Sequence, residues 1–545
     1  MTLQFKSLTA MLAATTMLAG PVLAAGTHPE TGEALSDNQT FTYRLLDEHS
    51  SVDPGIAEDV SGAEVIRDLF EGLMNQDENG NLVPGVATGY TANEEKNVYT
   101  FTLRDNAKWS DGTPVTAGDF VYAWRRAASP ELASPYAWYI ELMSIENAAQ
   151  IIAGEMTPDT LGVTAIDDHT LEVRLTASLP YFPLMTTHTT TFPVPAATIE
   201  AHGDQWTRPE NIVSNGAYVL TEHVPQERSV RERNPMYWNN DATIIEKVVA
   251  LVINDDDTAL TRWKAGELDR TEIPTGQYPS LSQEYPGEAL SFPRLCSYYY
   301  TFNLSEGGPE AFKDVRVRQA LSYAIDRSVI TDQVLQGGQI AAFTFTPGAT
   351  ANFTVPEVAF GKMTQDERNA AAVALLAEAG YGEGLEHGPL AFDMVFNTSE
   401  AHAQIATVMA QMWKQTLGLD VTQSNMEWQI FLEERGNQNF ELARGAWCGD
   451  YNEASTFLDL VNSSSGYNDG KYNNAEVDAL LAEAKTMEDP SANYTRIEEI
   501  MADEMPVIPI YHYAGNMMLN ADIQNWPINN VEQNWYSRNL YRVDN

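Results

Sequence analysis

No linker interrupts this chain, and that absence constrains its fold more than any motif does. At 545 residues it exceeds what one hydrophobic core holds, so two or three domains are expected. Internal repeats, low-complexity tracts and flexible connectors are nevertheless missing. Domains without linkers imply a chain that crosses between lobes several times. Short strands and helices alternate along it, cut by glycine and proline, and that order argues for an α/β fold. Thr40–Leu45, Val98–Leu103 and Leu171–Leu175 alternate like strands, as do Met394–Phe396, Val421–Gln423 and Pro506–Tyr513. Ala63–Leu73, Ala117–Ala127 and Asp314–Arg327 carry helical spacing, and Thr364-Gln-Asp-Glu367 is a capping box whose helix stops at Gly380. Asp77-Glu-Asn-Gly80-Asn81 reads as a turn lacking the later acid of a calcium loop. The Asp255-Asp256-Asp257 triple reads as the start of the helix that carries Trp263.

The N-terminus predicts export. Lys6 precedes an apolar run from Leu8 to Leu23 that ends in small residues, so residues 1–25 read as a signal peptide cleaved near Ala24 or Ala25. No cysteine follows to take a lipid, and no later segment reaches the ~18 apolar residues of a membrane span. A soluble protein of a Gram-negative periplasm is expected. In that oxidising compartment Cys296 and Cys448, the only cysteines, have each other as sole partner within the chain. Pairing is the default, and two unpaired buried thiols are the alternative. The net charge of −44 argues against nucleic acid or anionic lipid as a partner. A serine-nucleophile elbow, a zinc-protease helix and a phosphate loop are all absent, and the nine histidines show no ligand spacing. Hence no catalytic residue, metal or cofactor is expected.

One stretch does look like a site. Arg444-Gly-Ala-Trp-Cys-Gly-Asp450 places a cation, an indole, a sulfur and a carboxylate within seven residues, a mixture suited to holding a zwitterion.

These segments together resemble the periplasmic oligopeptide-binding proteins, solute receptors of ABC importers in the extracellular solute-binding protein family 5. The likeness runs nearly end to end after the signal. It is carried by Ile66–Leu73, Lys108–Thr116 with Asp119–Tyr122, Leu161–Val173, Asn215–Tyr218, Asp314–Arg318, Leu375–Tyr381 and Ala446–Asn452. Cys296-Ser-Tyr-Tyr-Tyr300 with Trp447-Cys448 points to the oligopeptide branch. The resemblance implies a type II periplasmic-binding-protein-like architecture: two α/β lobes that close about a hinge, plus a third domain. Lobe I would take residues 26–70, 196–295 and 514–545. Residues 71–195 would form the extra domain II packed on lobe I, and 296–513 lobe III.

It also implies that an extended peptide is held by backbone hydrogen bonds and delivered by a monomeric receptor to an inner-membrane ABC permease. Asp450 matches the residue that takes the ligand's α-ammonium. Arg444 and His402 match groups that receive its carboxylate. Trp447, Cys448 and Trp428 line pockets, Glu58 and Arg435 meet across the cleft on closure, and Tyr136, Tyr299 and Tyr513 stand near the peptide. Two departures matter: Ala446 replaces a usual glycine and narrows the adjacent pocket, and Leu335 stands where close relatives can carry a lysine. Receptors for dipeptides, murein peptides, metal chelates, haem or oligosaccharides are the neighbouring readings, and a secreted hydrolase is the reading from another class.

Overall fold

The computed structural model describes residues 26–544, so the signal-peptide reading lies outside the described residues. An eleven-stranded mixed sheet organises the chain. One half of it contains Tyr218–Val224, Arg228–Arg233, Lys247–Val252, Thr40–Leu45 and Arg270–Glu272. The other half contains Leu442–Cys448, Asp393–Asn397 and Thr422–Met426. Two long antiparallel strands, Ala289–Phe302 and Val507–Leu519, belong to both halves. Their pairing runs from Ala289↔Met518 to Pro293↔Ala514, breaks, and resumes from Ser297↔His512 to Thr301↔Val507. Strand Pro506–Tyr513, as read from the sequence, is therefore only the part in one half; the remainder crosses into the other.

A separate antiparallel layer holds Ala87–Ala92, Val98–Leu103, Thr170–Arg174 and Val163–Asp167. The helix Ala117–Ala128 belongs to the same region, opening on a capping box made by Thr116 and Asp119. Its Trp124 indole N–H donates to the Thr191 carbonyl at 2.7 Å, which satisfies a fully buried polar atom. The core under this layer is continuous with Trp447, Tyr451, Phe457 and Ile497. The aromatic side chains of Tyr136 and Trp138 in this region pack against Trp447 of the second half of the main sheet.

The other helical readings differ mainly at their ends. Helix Val60–Leu69 stops four residues before Leu73. Beyond it the backbone passes so close to Phe192 that a Cβ on Gly72 would lie 2.5 Å from the ring. Gln365–Glu378 has the capping box of Thr364 and Glu367, and the chain leaves it through Gly380 at φ +86°. Asp255 caps Asp256–Lys264 by accepting from the Thr258 amide. Gly80 at φ +79° and Asp77, which accepts from the amides of Asn79 and Asn81, form the turn. Among the described residues no helix is long and apolar enough to cross a membrane.

Candidate ligand-binding site

A cavity of about 500 Å³ lies between the two halves, on the side of the long crossing strands. One wall is the strand Leu442–Cys448. Its Cys296-side edge is paired along its whole length, from Leu442↔Phe302 to Cys448↔Cys296. On its other edge pairing ends at Val395↔Ala443, so Arg444–Cys448 has no strand partner there among the described residues. An open edge of this kind, inside a cleft, is a template for an extended ligand strand. The disulfide Cys296–Cys448 joins directly opposed residues at the end of the paired edge, with Cα atoms 4.0 Å apart. Two neutral sulfurs replace two thiols there, and in the chain-entropy picture closing a loop of 152 residues stabilises the fold by up to about 4–5 kcal/mol.

Of the eleven residues read from sequence as ligand contacts, ten line this cavity: Tyr299 does not. The Tyr299 ring instead fills the space under Gly445, where a Cβ would meet it at 2.4 Å, and packs edge-on against Phe345. Core packing accounts for it.

Asp450 follows the open edge, and its side chain is 8 % exposed. The Tyr136 hydroxyl donates to Oδ1 at 3.3 Å, and His188 Nε2 lies 3.4 Å from the same oxygen. Oδ2 is buried without any partner. Burial pushes the Asp450 carboxyl well above the usual range. His188 stacks on Tyr136 and accepts from the Thr190 amide through Nδ1, so its proton sits on Nε2, facing Asp450. Burial, aided by Arg67, pulls its pKa down to about 3, and the ring stays neutral. Glu532 also lines the cavity, accepts from Gln76, and is pushed up to about 7 by burial. Neither His188 nor Glu532 was identified from sequence, because each is brought to Asp450 from a distant segment with no spacing signal.

Arg444, 6 % exposed, donates to Tyr513 Oη at 2.9 Å and to Asn397 Oδ1 at 3.2 Å, with its guanidinium 4.8 Å from the Tyr298 ring centre. No carboxylate pairs with it among the described residues. His402 sits beside the Tyr298 hydroxyl at 3.4 Å, and burial followed by the Arg444 charge holds it well below its ordinary pKa. It is a buried neutral imidazole, available as a hydrogen-bond partner. The expected Glu58–Arg435 contact is not made. Arg435 pairs instead with Asp469 at 2.7 Å, and Glu58 accepts from the Tyr467 hydroxyl at 2.8 Å. The tether from Glu58 therefore runs through a tyrosine, since Asp469 is nearer to the guanidinium. Trp428 reaches Asp59 Oδ2 at 3.5 Å. Ala446 and Leu335 both face the cavity.

Away from the cleft, Glu48 Oε1 lies 3.3 Å from His49 Nε2 and 3.1 Å from His223 Nε2, a convergence the scattered histidines did not announce. Glu48 also accepts from the Gln226 amide, and hydrogen bonding accounts for the cluster.

A cleft with an under-satisfied carboxylate near one end, a guanidinium free of counter-charge, and an open strand edge defines a receptor for a small extended solute. Residues 81–469 match the bacterial extracellular solute-binding proteins, family 5, and the chain belongs to that family. It is 45 % identical over 516 residues to the periplasmic murein peptide-binding protein MppA of Escherichia coli, covering 94 % of this chain and 95 % of that one. A solved structure of that protein superposes with a TM-score of 0.91 at 44 % identity, covering 94 % of this chain and all of the other. Its unliganded open form gives 0.69. The Haemophilus influenzae OppA complex with the peptide RPPGFSPFR gives 0.89 at 36 % identity, with coverage of 94 % and 100 %. The arrangement of the lobes here is therefore unlike that open form.

Proposed function

We propose that this protein is the periplasmic receptor of a peptide ABC importer, binding short peptides in extended form and handing them to an inner-membrane permease, without chemistry of its own. The observation that carries the reading is Asp450. A buried carboxylate with one unpartnered oxygen, on the wall of the cleft, is costly to ionise unless a ligand brings a cation to it. A free peptide α-ammonium supplies that cation, the edge Arg444–Cys448 supplies backbone partners, and Arg444 or His402 receives the terminal carboxylate. Relatives named for a murein peptide and for oligopeptides take ligands of the same chemistry.

We assign lobe I to residues 26–70, 196–295 and 514–545, domain II to 71–195 and lobe III to 296–513. The pairing break between Pro293 and Ser297 is consistent with a hinge at the lobe I–lobe III boundary. Contacts that bridge segments on opposite sides of the cleft, such as Tyr467 to Glu58 and Trp428 to Asp59, favour the closed state, and a ligand touching both walls adds to them. The protein acts as an exported monomer. Native mass spectrometry of protein purified gently from periplasm, with sequencing of what it releases, tests the reading. Peptides of mixed sequence are expected; a sugar, haem or metal chelate in their place overturns it.

A further inference from the structure

Among the described residues six arginines and no lysine line the cleft, together with eight carboxylates, in a protein whose net charge is −44. Three of them are neutralised by neighbours. Arg44 pairs with Asp256 at 2.7 Å, Arg270 with Glu272 at 3.0 Å, and Arg435 with Asp469 at 2.7 Å. Arg444 has the hydrogen bonds already described. The remaining two, Arg67 and Arg294, differ from all of these. Among the described residues neither makes an ion pair or a side-chain hydrogen bond; the buried Nε without a partner that each carries is shared with Arg270, Arg435 and Arg444. Arg67 is 8 % exposed. Acids do influence them electrostatically: Glu64 acts on both, Glu532 and Asp450 on Arg67, and Glu272 on Arg294. None of these comes within ion-pair distance of either guanidinium.

A buried cation (Arg67) and a half-buried one (Arg294) without a paired counter-charge are expensive, and a peptide carbonyl, being neutral, relieves only part of that cost. A carboxylate relieves it fully and matches the planar fork of a guanidinium. The terminal carboxylate of a peptide can satisfy one arginine, and Arg444 already stands free for it. Arg294 lies in the pairing break between Pro293 and Ser297, so an anion there would sit against the hinge.

We propose that Arg67 and Arg294, which both line the cleft, each receive a side-chain carboxylate of the ligand, making this a receptor selective for acidic peptides. The inference rests on the peptide reading above. The acidic outer surface repels such ligands, so the selectivity resides in slow release rather than fast capture.

The test is calorimetric titration of the full mature protein, stripped of bound ligand, with Ala-Glu-Glu-Ala, Ala-Gln-Gln-Ala and Ala-Lys-Lys-Ala. The glutamate peptide is expected to bind about ten- to a hundredfold more tightly than its isosteric glutamine counterpart, the range for charge-assisted hydrogen bonds. The lysine peptide should bind weakest. In Arg67→Gln and Arg294→Gln the ratio of glutamate to glutamine affinity should fall. The comparison within the wild-type protein decides the matter even if a variant fails to fold. Equal affinity for the glutamate and glutamine peptides overturns this selectivity and leaves the peptide reading standing. Failure of all three peptides to bind overturns both.

Discussion

At the Asp450 end of the cleft a carboxylate is buried among rings, holds one oxygen without a partner, and keeps its proton more readily than a surface acid. At the Arg444 end a guanidinium is equally buried, yet a phenol, an amide and an aromatic face surround it and it stays charged. The first end acquires its charge when a ligand cation arrives; the second holds its charge in advance. A ligand ammonium thus draws out a charge that Asp450 otherwise suppresses, whereas a ligand carboxylate meets a charge already present at Arg444. This asymmetry gives specificity for a free N-terminus and tolerance at the other end, where His402 is a second possible partner.

The contrast is broken most directly by Asp450→Ala, which should weaken peptide binding by about 3–5 kcal/mol, the scale for stranding one member of a buried pair. Unchanged affinity in a folded variant, read by calorimetry, would remove Asp450 from the site. Arg444→Gln should cost less, about 1.5–3 kcal/mol, as for one hydrogen bond to a charged group. A larger loss than at Asp450 would reverse the asymmetry.

Protons sharpen the same comparison. Asp450 must release its proton to hold an ammonium, so affinity should rise as pH rises through the acidic range. It should fall again above about 8, where a free peptide amine deprotonates. Titrations in buffers of different ionisation enthalpy measure the released proton, and a flat profile to alkaline pH would exclude an ammonium grip. In the empty protein Glu532, raised from 4.5 to about 7, binds its proton more tightly folded than unfolded. Its contribution to stability is therefore full below about pH 4.5 and is lost as pH rises to 7, which thermal unfolding of the stripped protein would register as a declining contribution. The smallest effect is at the tether: Tyr467→Phe removes the hydrogen bond to Glu58 and should weaken closure, and hence affinity, by about 1 kcal/mol.

The local elements were legible where periodicity and capping act within a few residues. Thr40–Leu45 and Val98–Leu103 match their readings, and Thr364 and Asp255 cap the helices their spacing announced. The strand ending at Leu519 was read only to Tyr513, since Ala514-Gly515-Asn516 lacks the alternation that marks a half-buried strand. In the site, the segment from Arg444 to Asp450 stood out because its chemistry fits no packing pattern. What completes it did not. His188, Glu532, Arg67 and Arg294 come from four separate segments, and a carboxylate that finds a tyrosine rather than an arginine, as Glu58 does, follows from distances that spacing cannot encode.

The two strands shared by both halves carry a mechanical consequence. Since Ala289–Phe302 and Val507–Leu519 both continue through the main sheet across the interruption of their pairing at Pro293–Ser297, the proposed hinge would bend a ribbon there like a leaf spring rather than tear one surface from another. The clamp Cys296–Cys448 is fastened immediately beside that stretch. With the proposed hinge there, the disulfide would tie the wall bearing Arg444–Asp450 to its neighbouring strand just past the bend, and a ligand seated against that wall would travel with it as on one stiff plate.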